Sequence, residues 1–499
     1  MIRSACPVAL VALLLGGCAV GPDVTPLDAP VPEKWSEAPK ASSRPVRLGD
    51  WWRAFRDPAL DSIIEQAVAQ NLTVATARAK VREARATRRV SAAALAPSLS
   101  GSGSASREQT PGSQSGTGRN YDYNLYSGGF DASWEIDLFG GNQRTLEASH
   151  QALRAVEDDL DAALLTLIGD VASDYIEARG YQARIALAQS TAKSQRDTAA
   201  LTRNKFQVGS ASAVDTSKAE ALAASTEATI PPFRAAFDQT VHQLSVLTGQ
   251  APGALAARMA AARPIPSPRK PLPLGLPGDL LKNRPDVRAA EKRVAQYTAQ
   301  IGSAEAALYP KLTITGALST KALRAEDFAK ASTLAWSYGP SLTLPFFQGG
   351  SLTAQVDLAK ATRDEYLIAW RATVLTALRD VEDDIVALSQ EKLHAKKLAE
   401  ATAGYAKAAE LSQSLYSMGS SSYLDVLDAQ RSLYSAQDSL LVSRIAIATD
   451  HVALAKALGG GWTRQVDSST PEIIDREEAP HLPPTPPEPE LTLFDLVRP

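Results

Sequence analysis

The chain has few of the residues on which enzymes most often depend. Its 499 residues include only two cysteines, Cys6 and Cys18, and three methionines. The five histidines are scattered, and none has a second ligand at metal-binding spacing. A phosphate-binding glycine loop is also missing. With no nucleophile, metal site or nucleotide site to identify, we expect neither an enzyme nor a bound cofactor.

Charge and hydropathy exclude two further classes of protein. The net charge of -3 gives no electrostatic reason to expect binding to nucleic acid. After the N-terminus no run of 18 apolar residues occurs, so no transmembrane helix is expected. If this chain crosses a membrane, it must do so with strands. The sequence also encodes no energy source, so any transport through it has to be driven by a partner.

The N-terminus has the pattern of an export signal. A positive charge at Arg3 precedes an apolar stretch that is too short to span a bilayer, which predicts a signal peptide at 1–17. The sequence Leu-Gly-Gly-Cys at 15–18 resembles a bacterial lipobox, in which Cys18 becomes the lipidated first residue. The alternative is an ordinary signal peptide that contains a cysteine. Because Ala19, and not aspartate, follows, the outer membrane is the favoured destination.

One turn pattern occurs twice, 210 residues apart. The pattern aromatic-x-x-Gly-x-x-Ser-x-x-Asp spans Phe206–Asp215 and Tyr416–Asp425. Several further identities keep the same offset: Leu201 and Leu411, Ala219 and Ala429, Leu244 and Leu454, Gly249 and Gly459. The chain therefore divides into two similar halves, 51–251 and 278–462. We expect an extended arm at 18–50, a proline-rich linker at 252–277 and a disordered tail, rich in proline and acidic residues, at 463–499.

Each half has the same order of expected elements. A short helix precedes two strands, which we place at about 97–107 and 121–138 and, in the second half, at 310–320 and 334–346. Helical hairpins follow at 142–248 and 350–458. Leucines spaced by seven indicate coiled-coil packing, and the first helix would be about 100 Å long. The fold class is therefore mainly α with a small β part and a two-fold internal repeat.

The four strands alternate between apolar or aromatic residues and serine, threonine, glycine or aspartate. Lipid outside and water inside require such an alternation. Four strands cannot close a barrel, and lipid does not tolerate open sheet edges. Oligomers would supply 8 strands from two copies or 12 from three, and the small polar face favours the larger pore. The alternative is a soluble hairpin capping a helical bundle, with Tyr121, Tyr123, Trp134, Trp336 and Tyr338 in its core.

Several segments together resemble the TolC-like outer-membrane efflux proteins, in particular their lipoprotein branch, the NodT-type factors. The resemblance covers most of the chain up to about 462, with Asp23-Val24 standing where the family usually has Asp-Tyr. It implies a homotrimer with a 12-stranded barrel in the outer membrane, continued by an α-helical barrel into the periplasm. A periplasmic adaptor and a proton-driven inner-membrane pump would be its partners. The segments are "GCAVGPD" at 17–23, "WWRAFRDPALDSIIEQAVAQN" at 51–71, "DLFGG" at 137–141, "RPDVRAAE" at 284–291, "IGSAEAALYPKLTITG" at 301–316, "PFFQGG" at 345–350 and "YLDVLDAQRSLYSAQ" at 423–437.

The repeated turns lie at the far ends of the expected hairpins. Their glycines permit a positive φ, and each serine stands three residues before an aspartate, as a helix N-cap does. Capping alone would explain these residues. The resemblance implies that the turns also contact the adaptor. The residues concerned are Gly209, Ser212 and Asp215 in the first half and Gly419, Ser422 and Asp425 in the second.

Just after the second turn, Leu424, Asp428 and Arg431 share one helix face at spacings of four and three. A surface ion pair between Asp428 and Arg431 would be the simplest interpretation. The resemblance places a periplasmic gate here, with Tyr416 before the turn and Val214 as the matching apolar residue of the first half. In a ring of three chains, Leu424 would narrow the pore and Asp428 would form an acidic ring that favours cations.

The sequence thus predicts a trimeric exit duct of a tripartite efflux system. It would pass small toxic compounds or drugs from an inner-membrane pump and its adaptor to the exterior. Two alternatives remain open at this point. One is a lipid-anchored coiled-coil scaffold without a pore, and the other is the outer-membrane duct of a type I secretion system.

Overall fold

A computed structural model describes most of the chain as long helices with one small sheet. The described residues are 19–29, 31–36, 48–111, 113–114, 118–268, 271–461 and 466–469. The expected signal peptide, Cys18 and most of the expected tail lie outside them. Within the described residues the two halves of the chain repeat one order of elements, as the 210-residue offset predicts.

The first half begins with a 3-10 turn at Trp51–Phe55 and ends in a long hairpin. Its turn and the helices that follow bury Trp52, Leu60, Ile63 and Ile64 almost completely. The elements are α1 (Pro58–Gln70), α2 (Leu72–Ala93), β1 (Ser98–Thr110), β2 (Tyr121–Ile136), α3 (Gly141–Gln207), α4 (Ala213–Glu227) and α5 (Ile230–Leu247). The return helix is broken between α4 and α5, where prolines occupy the first turn of α5.

The second half repeats this order without the break. The connection to it contains the short helix α6 (Ala256–Met259), and Leu255 and Met259 are buried in the first-half core. The proline-rich linker is therefore packed against the protein. The remaining elements are α7 (Leu280–Asn283), α8 (Pro285–Ala306), β3 (Lys311–Ala322), β4 (Leu334–Thr343), α9 (Ser351–Ser417) and α10 (Tyr423–Ala457).

The two long helices set the length of the molecule. Helices α3 and α9 have 67 residues each, which corresponds to about 100 Å. Helix α3 packs between α2 and α8 near the sheet, and against α4, α5 and α10 farther away. Its buried leucines at 153, 160, 164 and 167 belong to the largest core cluster. The heptad pattern of the sequence is thus used for side-by-side helix packing, as expected for a coiled coil.

The four strands form one antiparallel sheet in the order β1-β2-β3-β4. The register aligns the apolar residues of all four strands on one face. Phe130 stands opposite Gly101 and Leu318, and Leu318 stands opposite Trp336. The other face carries serine, threonine and acidic residues, such as Ser104 opposite Ser127 with 2.7 Å between their hydroxyl oxygens.

The apolar face is exposed to solvent in the single chain. Trp336 is 69% and Tyr338 81% exposed, and Phe130 is 59% exposed. These aromatic residues are not core residues, so the soluble cap considered from the sequence is not what the strands build. From Tyr126 to Ile136 the apolar stretch of β2 measures about 33 Å along the strand. At the usual strand tilt this corresponds to a band about 25 Å tall, the thickness of an outer-membrane barrel's apolar belt.

The N-terminal arm is seated against both halves. Gly21 lies so close to Gly302 of α8 that a Cβ on Gly21 would stand 2.3 Å from the Cα of Gly302. Arg144 of α3 donates hydrogen bonds to the carbonyls of Val20 and Gly21 and forms a 2.8 Å ion pair with Asp23. The chain next to Cys18 is therefore fixed beside the strand ends.

The same arm continues along the second half. The indole N–H of Trp35 donates to the carbonyl of Gly275 at 3.1 Å, and the Ser36 N–H donates to Glu382 of α9 at 2.7 Å. Trp35 is buried in the core cluster of this half. Since an arm without regular structure gains its order from such contacts, these two anchors and the glycine contact hold it along its length.

Replacing Gly302 with valine should release the arm. A Cβ at this position would stand 2.9 Å from the Val20 carbonyl oxygen and 2.8 Å from the Arg144 side chain. Overpacking of this kind costs about 1–3 kcal/mol. We expect faster tryptic cleavage after Lys34 and a lower thermal unfolding midpoint.

The matched control is Gly404→Ala in α9, where a Cβ would meet nothing within 4 Å. That change should leave cleavage after Lys34 unaltered, because Gly404 lies far from the arm. Alanine also favours a helix more than glycine does. Equal cleavage rates in the wild type and Gly302→Val would show that the arm does not depend on this contact.

Candidate functional site

The far ends of the two hairpins contain closely similar turns. Gly209 and Gly419 have φ values of +78° and +81°, in the left-handed region that glycine adopts without strain. The next N–H groups turn back to the helix carbonyls: Ser210 to Lys205 at 2.8 Å, and Ser420 to Leu415 at 2.9 Å. These bonds satisfy carbonyls that the helix ends would otherwise leave unpaired.

Both return helices start with a reciprocal capping box, as the Ser-x-x-Asp spacing predicts. The Asp215 N–H donates to the Ser212 hydroxyl at 3.1 Å, and the Ser212 N–H donates to the Asp215 carboxylate at 3.2 Å. Ser422 and Asp425 form the same pair at 3.4 and 3.1 Å. The hydroxyls of Ser421 and Ser422, with the Ser422 N–H, hold the pKa of Asp425 below its usual range.

The aromatic residue before each turn has a different environment in the two halves. Phe206 is 44% exposed, whereas the equivalent Tyr416 is 5% exposed. The Tyr416 hydroxyl donates to Thr202 of α3 at 3.1 Å, and the Lys205 ammonium lies 4.9 Å from the centre of its ring. Tyr416 therefore joins the second hairpin to the first.

This junction includes residues that sequence reasoning did not single out. Tyr423 packs edge-to-face with Tyr416 at 5.8 Å between ring centres, and Val426 is fully buried beside them. Gln430 of α10 donates to the Thr198 hydroxyl of α3 at 3.1 Å. Tyr423 occupies the position that is equivalent to Ala213 in the first half. This difference between the repeats is the sequence signal from which the junction could have been predicted.

The other expected gate residues lie on the exposed surface of the tips. Leu424 and Val214 are each 59% exposed, and Asp428 and Arg431 are exposed as well. Leu424 and Asp428 line a shallow groove between α9 and α10 that also contains Tyr405. Tyr416 is not on this surface, so the five residues fall into a buried junction and an exposed face.

The surface ion pair considered from the sequence is not formed. No ion pair involving Asp428 or Arg431 occurs within the described part of the chain. The spacing of three permits such a pair, but two exposed long side chains gain little from it. Both charges thus remain available to groups outside the single chain.

The described residues contain no group of three histidine, cysteine, aspartate or glutamate side chains that could hold a metal ion. His451 is buried among apolar side chains, which lowers its pKa to about 4, and its ring packs 5.5 Å from that of Phe55. It serves as a neutral core residue.

No helix in the described ranges has an apolar stretch long enough to cross a membrane.

Comparison with known proteins assigns the architecture. The family model for outer membrane efflux proteins matches twice, at residues 63–250 and 276–460, once in each half. This chain belongs to the outer membrane efflux protein family. It is therefore a transport channel, not an enzyme, and the family needs no resident cofactor.

Individual relatives agree over nearly the full length. Nodulation protein T of Rhizobium leguminosarum bv. trifolii is 38% identical over 452 residues, 90% of this chain and 96% of that protein. The toluene efflux pump outer membrane protein TtgC of Pseudomonas putida is 32% identical over 477 residues, 93% of this chain and 97% of that protein. The solved outer-membrane channel OprN superposes with a TM-score of 0.83 at 32% identity, covering 89% of this chain and all of that one.

These similarities fix the place and general task of the protein. It is the outer-membrane exit channel of a tripartite efflux system. From the outer membrane it extends into the periplasm. The exposed apolar sheet is the membrane end, and the hairpin tips, about 100 Å away, are the periplasmic end.

The second capping box should be needed to keep its turn ordered. Ser422→Ala removes the acceptor of the Asp425 N–H, and a lost cap corresponds to about fivefold faster amide exchange. Hydrogen exchange at 419–425 measures this. The pKa of Asp425 is lowered in the fold, so its carboxylate stabilises the folded turn at every pH above the ordinary pKa of aspartate. This stabilisation is lost only as the pH falls through the lowered pKa.

The control is Ser420→Ala in the same turn, whose side chain does not cap the helix. Exchange that is equally fast in both variants would mean that the turn does not depend on the box.

Proposed function

We propose that three copies of this chain assemble side by side and that their sheets join into a 12-stranded barrel. The observation that carries the proposal is the sheet itself. In the described chain, the outer edges of β1 and β4 have no partner strand. One face of the four-stranded sheet is apolar and exposed. Lipid does not tolerate unpaired backbone groups, so the edges must pair with those of further copies.

We further propose that Cys18 carries the lipid. Its neighbour Ala19 starts the arm whose Val20 N–H donates to the carbonyl of Phe139 at 3.1 Å, three residues after β2 ends. The chain beside Cys18 is thus held at the level where strands become helices. A lipid attached there would enter the membrane next to the barrel wall.

The exposed face of the tips is the proposed periplasmic gate. With three copies around one axis, Leu424 would narrow the opening and Asp428 would form an acidic ring that favours cations. Val214 would add an apolar residue from the first half, and Arg431 would pair across to an acidic group of a neighbouring chain. Tyr416 would act from behind this face, by holding the second hairpin against α3.

The turns themselves are proposed contacts for a periplasmic adaptor. Six residues form them: Gly209, Ser212, Asp215, Gly419, Ser422 and Asp425. Their serine and aspartate side chains are engaged in caps, so the rigid shape of the turns is what they would present to a partner. A proton-driven inner-membrane pump would supply the energy and select the substrate.

Small toxic compounds or drugs are the proposed cargo. The name of the relative TtgC, a toluene efflux pump protein, supports small molecules in preference to the secreted proteins of a type I system. A scaffold without a pore, the other alternative from the sequence, does not agree with membership in a channel family.

Single-channel conductance in planar bilayers tests the duct and its gate together. We expect small or flickering openings of the wild type, and wider or longer openings of Asp428→Ala and Arg431→Ala, because each removes a charge from the proposed ring. If folded oligomer in the bilayer conducts in none of the three forms, the duct is excluded. If all three conduct alike, the gate lies elsewhere.

Loss of the Tyr416 hydroxyl should also favour the open state. Tyr416→Phe removes the hydrogen bond to Thr202, and a neutral hydrogen bond contributes about 1 kcal/mol. The open-to-closed ratio in the same bilayer recordings should rise about fivefold, which is that free energy as a ratio.

Tyr181→Phe is the matched control. This tyrosine lies on α3 well before the tip, and its hydroxyl has no hydrogen bond to another described residue. An unchanged ratio in Tyr416→Phe, or an equal rise in both variants, would show that the junction does not hold the gate.

A further inference from the structure

Helix α3 is joined to two other helices at Arg184. The Arg184 guanidinium donates two hydrogen bonds to the carboxylate of Asp438 on α10, at 2.7 and 2.9 Å. The same group lies 4.1 Å from the centre of the Phe233 ring on α5. A planar guanidinium can pair with a carboxylate and stack on a ring at the same time. These three residues, termed the arginine node below, therefore hold α3, α5 and α10 together at one level.

The break between α4 and α5 lies at the level of the arginine node. The Pro231-Pro232 pair at the start of α5 comes directly before Phe233. The hydroxyl oxygens of Thr229, in the break, and Tyr434, one turn before Asp438 on α10, lie 3.1 Å apart. Helix α10 continues through the equivalent positions without a proline. Because proline removes a backbone hydrogen bond from a helix, the break separates α4, on the tip side of the node, from α5.

On the sheet side of the node, α3 and α10 are in close apolar contact. A Cβ on Gly180 of α3 would stand 2.3 Å from the Cδ1 of Ile445 on α10, so the helices touch at this point. Val452 of α10 belongs to the same core cluster as Val171 and Ile176 of α3. Separating such a contact exposes buried apolar area and is therefore costly. This part of the contact between the hairpins is fixed.

On the tip side of the node, the buried face of α3 has a different composition. Its buried residues there are small or polar: Ala188, Ala192, Gln195, Thr198, Ala199 and Thr202. The Gln195 side chain is almost completely buried, yet neither polar atom of its amide bonds to a described residue. Buried polar groups without protein partners weaken the packing around them. The two hairpins are thus held less firmly between the node and the tips than between the node and the sheet.

We propose that Arg184 is the pivot of the gate. It holds the hairpins together at the node, and the helix segments beyond the node shift relative to one another when the gate opens. This role rests on the gate proposed at the tips, and it makes Arg184 a positioning residue. From Arg184 to the end of α3 at Gln207 the helix is about 35 Å long. A small rotation at the node therefore becomes a displacement of several ångströms at the tips.

Hydrogen exchange in the purified full-length protein, measured separately on the two sides of the node, tests the pivot. Arg184→Gln removes the ion pair to Asp438. We expect amide exchange at 423–437 of α10 to become about tenfold faster, because a two-point, charge-assisted contact is lost. Exchange at 440–457, on the sheet side, should not change. The open-to-closed ratio in bilayer recordings should rise in the same variant.

Arg196→Gln is the matched control. Arg196 also lies on α3 and forms a two-point pair with Glu227, at 2.7 and 2.6 Å. Both of these residues belong to the first hairpin, so their pair does not join the two hairpins. Arg196→Gln should therefore leave the exchange of α10 and the open-to-closed ratio unchanged.

An exchange of the two charges separates a pivot from a general loss of stability. Arg184→Asp should accelerate exchange at 423–437, and adding Asp438→Arg should reverse most of this change, because the pair is restored. Equal acceleration on both sides of the node, an effect of Arg196→Gln on α10, or no rescue by Asp438→Arg would each overturn the pivot.

The bilayer recordings distinguish a failure of the pivot from a failure of the gate. An unchanged ratio in Arg184→Gln, together with altered openings in Asp428→Ala and Arg431→Ala, would overturn the pivot and leave the gate in place. If the one-sided acceleration of exchange is found while the two gate variants conduct like the wild type, the node is the pivot between the hairpins and only the position of the gate is wrong.

Discussion

A strand that faces lipid needs a hydrogen-bond partner for each backbone N–H and C=O group. The rest of the structure depends on this constraint. The sheet has an apolar belt about 25 Å tall, yet within the described residues it leaves one edge of β1 and one edge of β4 unpaired. In water such edges cost little, and in lipid each unpaired N–H or C=O costs several kcal/mol. The edges therefore require partner strands, and the proposed trimer would place three pairs of long hairpins around one axis.

The two halves of the chain differ at the tips of their hairpins, where the gate is proposed. The two turns form nearly the same hydrogen bonds, so the internal repeat includes their shape. The residues behind the turns have diverged: Phe206 is exposed, whereas Tyr416 is buried against Thr202 and Tyr423. Near the tips, one hairpin thus rests on the other through a few hydrogen bonds, such as those of Tyr416 to Thr202 and of Gln430 to Thr198, and a small apolar cluster. A contact of this size suits the gate proposed at the tips, because closing and releasing it involves little free energy.

The sequence was sufficient for the elements because each has a local cause. The alternation of apolar and polar residues predicted the strands, and leucines spaced by seven predicted the long helices. The Ser-x-x-Asp spacing predicted the capping boxes. Strand ends were less certain: β1 continues to Thr110, beyond the expected 107, since polar residues also pair in a hairpin. β4 ends at Thr343, before the expected 346, because Pro345 cannot donate to a ladder.

The tertiary contacts could not be predicted from the sequence. The spacing of Asp428 and Arg431 permits an ion pair, but solvent competes with it and the single chain does not form it. Nothing local distinguishes Tyr416 from Phe206, since the burial of one arises from Thr202 and Tyr423 on other elements. The packing of Met259 in the proline-rich connection, and of Val466 after the last helix, has the same origin.

The seat of the N-terminal arm has a consequence for the order of folding. Val20 and Gly21 are among the first residues of the described chain, but the residues that hold them, Arg144 and Gly302, follow about 120 and 280 positions later. Contacts of such long sequence separation form late, because the closure of a long loop must precede them. The contact of Gly21 with Gly302 is therefore absent while the first half folds, and only the bonds to Arg144 and Phe139 can hold the arm. The seat is completed when the second half has taken its place beside the first.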